Sequence, residues 1–288
     1  MSNKDLVENI KKLRELTGVG FKDCKIALDD SNGDIEKSIE FLRKKGIAKA
    51  SKKMSRTASE GLALVKENQG NVSLIEINSE TDFVAKNQDF INFCKELSEL
   101  NFNTKGDINK LNEIKMKNEI TVKDNLVNLI AKIGEKITIR RAEFFDNSVG
   151  TNFSYVHSAL EKGIGKIISL VKLEGISKGK NDSIGTKIAM HIAASSPLAL
   201  DKDNIQKDII NKELEIIKAE IANTGKPAEM IEKISSGKLS KFLNDNSLLN
   251  QLWIMDPKKK VSDILKENSS DQPLQILDFI RYKVGEGI

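Results

Sequence analysis

The sequence predicts an α+β protein with small antiparallel sheets, and three observations carry that prediction. The N-terminus shows short apolar stripes at helical spacing, separated by glycine-rich breaks. Two stretches, 61–78 and 152–175, read as β-hairpins, the first through the alternation of Leu62, Leu64, Val72 and Leu74 around a turn at Gly70. Between 205 and 245 a narrow apolar seam of three- and four-residue spacings interrupts the second half. The resulting organisation is a three-helix domain over 1–46, a basic linker over 47–56, and an α+β core whose halves span 57–147 and 148–288. An antiparallel helical hairpin over about 205–245 lies in the second half.

With 288 residues, 39% hydrophobic and 31% charged, the chain suits two or more modest cores. No apolar run approaches the roughly 20 residues that span a bilayer. The opening MSNKDLVENI lacks the apolar core of a secretory signal, so a cytoplasmic protein is expected. Two cysteines, Cys24 and Cys94, are too few for a disulfide framework or a zinc site. The net charge of +4 is unevenly spread: residues 1–56 hold 14 Lys/Arg against 9 Asp/Glu, and Arg43–Arg56 carries seven basic residues and no acid. Such a run can track phosphates. Here it contains no aromatic residue for base stacking and sits where a linker is expected.

Leu6, Ile10, Leu13 and Leu16 share one face of the first helix, and TGVGF (17–21) ends it. DCKIAL opens a second helix that stops at Asn32-Gly33, and Asp34 caps a third bearing Ile35, Ile39 and Leu42. GLALVKENQGNVSLIEIN reads as a hairpin turning around Gly70. After it come a helix from about Asn87 to Leu100 with Phe90, Phe93, Cys94 and Leu97 on one stripe, and a polar stretch, 101–118, read as loop or poorly defined helix. A helix through Val122, Leu126, Leu129, Ile130 and Ile133 and a strand, KITIRRAEFF, complete this half. The order then recurs loosely: a hairpin in 152–175, a helix over 183–195 with Ile184, Ile188 and Ile192 inward, and a closing strand in DFIRYKVGEGI.

The helical hairpin carries Ile210, Leu214, Ile217 and Ile221 outbound, the turn TGKP, and Met230, Ile231, Ile234, Leu239 and Phe242 on return. Pattern alone leaves open whether this pair projects or packs into the body.

No catalytic constellation, cofactor site or metal site is legible. There is no GxxxxGK[ST] loop, no GxGxxG after a strand and no GxSxG elbow. His157 and His191 are the two histidines, neither with metal ligands at suitable spacing. Both read as structural or partly exposed. The feature that stands out is TDFVAKN, 81–87, at a strand-to-helix corner where a scaffold can present a side chain. On pattern alone Thr81 or Asp82 caps a turn, Phe83 and Val84 face inward, and Lys86 is solvated.

TDFVAKN resembles the signature of the elongation factor Ts family, guanine-nucleotide exchange factors for the GTPase elongation factor Tu. LRELTGVGFKDCKIAL and NGDIEKSIEFLRKKG resemble the family's N-terminal domain, which implies a ubiquitin-associated-like three-helix fold. The resemblance runs from about Lys4 to the C-terminus and is weakest over 101–118 and 244–275. It implies that the helical hairpin is a protruding coiled coil and that Thr81, Asp82, Phe83 and Val84 form the segment that disturbs the GTPase's Mg²⁺ site. Phe83 would be the outward wedge, Asp82 a polar or orienting contact. Arg14, Gly20 and Phe21 fall where the family contacts the phosphate-binding side of its partner, with Phe21 replacing a common methionine. His157 falls at a further contact. Some family members continue with another helical module, whereas this sequence ends GEGI at Ile288.

Three functions follow as expectations. An exchange factor binds elongation factor Tu and needs neither bound nucleotide nor acid–base chemistry. An RNA- or ribosome-associated protein would use the basic run and the hairpin, with steep salt dependence. An adaptor of the ubiquitin-associated type would need only residues 1–46.

Overall fold

The computed structural model describes residues 3–17, 19–176, 182–222 and 228–288. Three helices open the chain: α1 (Asn3–Thr17), α2 (Phe21–Asp30) and α3 (Ile35–Ser51). Ile10 and Leu13 of α1 meet Cys24, Ala27 and Leu28 of α2 and Leu42 of α3 in one small core. Leu16, expected on that face, is 54% exposed. It belongs to the last turn of α1, where the buried stripe continues toward Thr17, whose hydroxyl donates to the Leu13 carbonyl at 2.6 Å. Asp34 caps α3 by accepting from the Lys37 amide at 3.0 Å. The third helix continues past Gly46 to Ser51, so the first part of the basic stretch is helical. Lys45 and Lys49 on it both hold Asp23 at 2.9 Å.

The first half of the core starts with β1 (Glu60–Asn68) and β2 (Asn71–Ser79). Gln69 and Gly70 join them at φ 49° and 79°, the left-handed pair that a tight hairpin requires. Then come α4 (Asp82–Ala85), α5 (Gln88–Thr104), α6 (Ile108–Glu113), α7 (Val122–Ile133) and β3 (Ile137–Phe145). The stretch 101–118 is better ordered than its composition suggests. Asn101 and Thr104 are polar yet buried in α5, and the Asn101 amide donates to the Leu74 carbonyl at 3.1 Å. Tertiary hydrogen bonds thus make up for the missing apolar signal. Leu62, Leu64, Ile75 and Ile77 of the sheet pack on Phe90, Phe93, Cys94 and Leu97 of α5. α3 packs on α7 at Gly46, where an added Cβ would meet Val127 and Ala131 at 3.6 Å, an ordinary contact that an alanine would also make.

The second half contains β4 (Thr151–His157), β5 (Ile164–Gly165), β6 (Ile167–Glu174), α8 (Asp182–Ser195), α9 (Lys207–Ala222), α10 (Ala228–Asn246), β7 (Leu252–Trp253), β8 (Asp256–Lys260), α11 (Val261–Glu267) and β9 (Gln275–Lys283). The two larger sheets have the orders β3-β2-β1-β5 and β4-β6-β9, and β7 and β8 form a separate two-stranded sheet, with antiparallel pairing in all three. In both larger sheets a hairpin's second strand is flanked by its first strand and by a strand that returns after the helices. These two sheets meet face to face through Ala63, Val72 and Leu74 on one side and Ile168, Leu170 and Tyr282 on the other. α5 covers the outer face of the first sheet, and α8 covers that of the second through Ile184, Ile188 and Ile192.

α9 and α10 pack on each other, with Ile217, Ile221 and Ser235 buried and Glu220 paired to Lys238 at 2.6 Å. Met230, expected on the return face, is 51% exposed. The TGKP turn, 224–227, lies outside the described residues. At the base of the pair, Ala199 bridges Ser247 and the Leu198 amide donates to the Asn246 carbonyl at 2.9 Å.

Candidate functional site

The corner after β2 turns outward because its neighbours are fastened inward. Thr81 stands at the N-cap of α4 with extended φ −127° and ψ 158°, but its hydroxyl makes no capping bond. It donates instead to Glu135 Oε1 at 2.8 Å, and the Thr81 amide donates to Glu135 Oε2 at 3.0 Å. The Thr81 carbonyl accepts from the Ser79 hydroxyl at 3.0 Å. Val84 and Ala85 enter the core at 5% and 3% exposure. Asn87 then caps α5, accepting from the amides of Asp89 at 2.9 Å and Phe90 at 3.3 Å. Between these anchors the Phe83 ring is 80% exposed. The inward orientation that pattern alone assigns to Phe83 is overturned.

Val84, which pattern places inward, is buried as that reading expects. Its side chain belongs to the packed core, so within 81–84 the outward side chains are those of Phe83 and Asp82. Asp82 pairs with Lys86 at 2.8 Å, one helical turn on. That contact holds the Asp82 carboxyl below its ordinary range.

The other candidates lie on separate surfaces. Arg14 is exposed near the end of α1. Gly20 is the N-cap of α2, with nothing within 4 Å of where a Cβ would stand, and Phe21 beside it is 51% exposed. His157 is exposed at the end of β4, its Nδ1 lying 3.2 Å from the Tyr155 hydroxyl. Among the described residues, no hydrogen bond, ion pair or ring contact links these groups to Thr81–Val84.

His191 is fully buried, the structural one of the two readings that its sequence context left open. Its ring stacks on Trp253 with centroids 5.2 Å apart, and Nδ1 accepts from the Ile254 amide at 3.3 Å. Nε2 therefore carries the proton and donates to Gln251 Oε1 at 3.0 Å. Burial pushes the His191 pKa down, only partly offset by Gln251, so the ring is a neutral structural group.

Sequence reasoning missed three carboxylates. Glu135 holds Thr81, as above. Glu80 accepts from the Lys136 amide at 2.6 Å and pairs with Arg56 at 3.2 Å. Burial alone would raise its pKa, but these donors outweigh it and hold the carboxyl low. Glu76 is fully buried and accepts from Arg140 at 3.0 Å, Arg141 at 2.6 Å, Asn78 at 3.0 Å and the Gly285 amide at 3.0 Å. The lone acid in the strand SLIEIN was the available signal for Glu76. Nothing local marked the other two, whose partners are distant in sequence.

The basic run is largely engaged within the chain. Arg43 pairs with Asp124, Lys44 with Glu40, Lys45 and Lys49 with Asp23, and Arg56 with Glu80. Lys53 donates to the Gly134 carbonyl. Among the described residues, no group of three or more His, Cys, Asp and Glu could hold a metal ion, and no helix is long and apolar enough to cross a membrane.

A family profile described as Elongation factor TS matches residues 80–286. The chain is 43% identical over 283 residues to Elongation factor Ts of Xanthobacter autotrophicus, covering 97% of this chain and 92% of that protein. It is likewise 43% identical over 285 residues to Elongation factor Ts of Azorhizobium caulinodans, at the same coverage. Elongation factor Ts of a Methylobacterium species is 41% identical over 283 residues, again with 97% and 92% covered.

Proposed function

The chain belongs to the elongation factor Ts family and has a role in translation elongation; on that premise we propose that it is a guanine-nucleotide exchange factor for elongation factor Tu. The observation that carries this reading is Phe83, an aromatic ring 80% exposed on a one-turn helix whose next two residues are core. A large exposed aromatic on a fixed backbone suits insertion into a partner's pocket, because little ordering remains to oppose binding.

A GTPase of this kind holds GDP through backbone amides, a lysine and a Mg²⁺ ion that bridges phosphate to protein oxygens. Insertion of Phe83 beside that site, with Asp82 as the adjoining polar contact, displaces the metal's supports and leaves phosphate charge uncompensated. GDP then leaves. Linkage requires that a factor weakening nucleotide binding be itself weakened by nucleotide, so GTP entry releases the factor. Arg14, Gly20 and Phe21 on the first domain, and His157 on the second half, supply further docking points. The protein's own side chains make and break no covalent bond in this scheme, and the work takes place in the cytoplasm.

The test is release of fluorescent GDP from purified elongation factor Tu with and without the chain. Acceleration by the wild-type protein, lost in Phe83→Ala, is the expected result. A wild-type chain that leaves the release rate unchanged sinks the proposal.

A further inference from the structure

The β2–β3 ladder ends at the pair Ser79 and Ile137, and beyond it the two backbones part. Two carboxylates then continue the pairing where main-chain bonds stop. Glu80 accepts from the Lys136 amide at 2.6 Å, and Glu135 accepts from the Thr81 amide at 3.0 Å. Each glutamate takes the amide of the residue that follows the other. Glu135 further accepts from the Thr81 hydroxyl at 2.8 Å, and the Ser79 hydroxyl donates to the Thr81 carbonyl at 3.0 Å. All three polar groups of Thr81 are thus held, two of them by one ionisable side chain on another element. Hydrogen bonds to a charged acceptor are the strong ones.

The turn that supplies Glu135 is itself braced by the basic stretch that precedes β1. Lys53 donates to the Gly134 carbonyl, Lys136 donates to the Arg56 carbonyl at 2.8 Å, and Arg56 pairs with Glu80 at 3.2 Å. Phe83 stands two residues from Thr81, between this clasp and the buried pair Val84 and Ala85.

We propose that Glu135 is a positioning residue for nucleotide exchange: through its two bonds to Thr81 it sets the direction in which Phe83 leaves the surface. The inference rests on the exchange reading above. A wedge must arrive at one orientation, and small misplacements of a reacting or inserting group cost large factors in rate. Loss of the Glu135 bonds leaves Phe83 present and exposed but no longer aimed.

The test compares Glu135→Ala with Glu135→Gln in the full-length chain. A glutamine can still accept from the Thr81 amide through Oε1 and donate to the Thr81 hydroxyl through Nε2. Two readouts are taken: hydrogen exchange of the Thr81 amide, and fluorescent GDP release from elongation factor Tu across factor concentrations. For Glu135→Ala the Thr81 amide should exchange about tenfold faster or more. The maximal release rate should fall about tenfold, with the half-saturating concentration changed less than about twofold. Glu135→Gln should restore most of both. If Glu135→Ala does not fold, Thr81→Val against Thr81→Ser asks the same question, and Ser should outperform Val in maximal rate. The inference is overturned if Glu135→Ala keeps wild-type maximal release, if Gln and Ala are equally impaired, or if Val matches Ser. Any of these with an active wild-type chain overturns the positioning role alone, whereas an inactive wild-type chain removes the exchange reading beneath it.

Discussion

Phe83 and Val84 are chain neighbours with opposite orientations, the ring 80% exposed and the isopropyl group 5% exposed. Truncation should therefore separate function from stability at adjacent positions. Phe83→Ala should shift unfolding free energy by no more than about 0.5 kcal/mol, as for an ordinary surface change, while removing exchange activity. Val84→Ala should cost about 1–3 kcal/mol from lost burial and the void left behind. Urea melts alongside GDP-release assays check the pair. A Phe83→Ala protein that melts as early as Val84→Ala would contradict it.

Glu76 joins the first sheet to the C-terminal segment. Burial alone pushes its pKa up, but the Gly285 amide, Arg141, Asn78 and Arg140 outweigh that and hold the carboxyl below its ordinary 4.5. Glu76→Gln at pH 7 should cost about 2–4 kcal/mol, somewhat under a fully buried pair because both guanidinium groups keep some water contact. A depressed carboxyl pKa means that the unfolded chain binds more protons. The Glu76 contribution is therefore complete above 4.5 and is lost as pH falls through the lower folded value. Denaturant midpoints of wild type and Glu76→Gln should converge as pH drops below 4.5. A constant gap down to pH ~2 would show that the ionised carboxylate is not what stabilises the site.

Gly285 donates its amide to Glu76 at φ +77°, and a Cβ there would stand 2.0 Å from the Ser59 carbonyl oxygen. Gly285→Ala combines left-handed strain of about 1–2 kcal/mol with a backbone clash that only movement of the C-terminal segment relieves. A drop in melting temperature is expected, together with faster amide exchange at the C-terminus. Unchanged melting would mean that the segment carries little of the inter-sheet attachment.

The chain has one tryptophan, Trp253, and it lies against the neutral ring of His191. Burial lowers the His191 pKa from its ordinary 6.5, so the folded protein resists protonation there. The associated stability is complete above 6.5 and is lost as pH falls through the lower folded value. Because an imidazolium in contact quenches indole emission, Trp253 fluorescence should drop with a midpoint below 6.5. A midpoint at or above 6.5 would contradict the buried, neutral assignment.

Much of this architecture was legible in the residues. The alternation of Leu62, Leu64, Val72 and Leu74 in 61–78 marks strands because side chains on a pleated sheet face opposite sides in turn. Spacing of Ile184, Ile188 and Ile192 marks the covered face of α8, and all three are buried. Leu16 and Met230 misled near helix ends, where both continue an apolar stripe on paper yet are about half exposed. Asn101 misled in the other sense, since its burial is stabilised by a bond to the Leu74 carbonyl that no local pattern predicts.

The sequence by itself determined the fold class, the strand-to-helix corner at 81–87 and the family to which the chain belongs. These follow from local periodicity, turn chemistry and a signature that short-range order preserves. Pattern could not separate Phe83 from Val84, because a single helical turn has no periodicity to read; the family resemblance implied the outward ring, and the tertiary structure exposes Phe83 while burying Val84. Only the tertiary structure decided the bond from Thr81 to Glu135, 54 residues away, and that from Gly285 to Glu76, 209 residues away. Such contacts depend on where two sheets and their connecting turns meet, and that is a property of the packed chain alone.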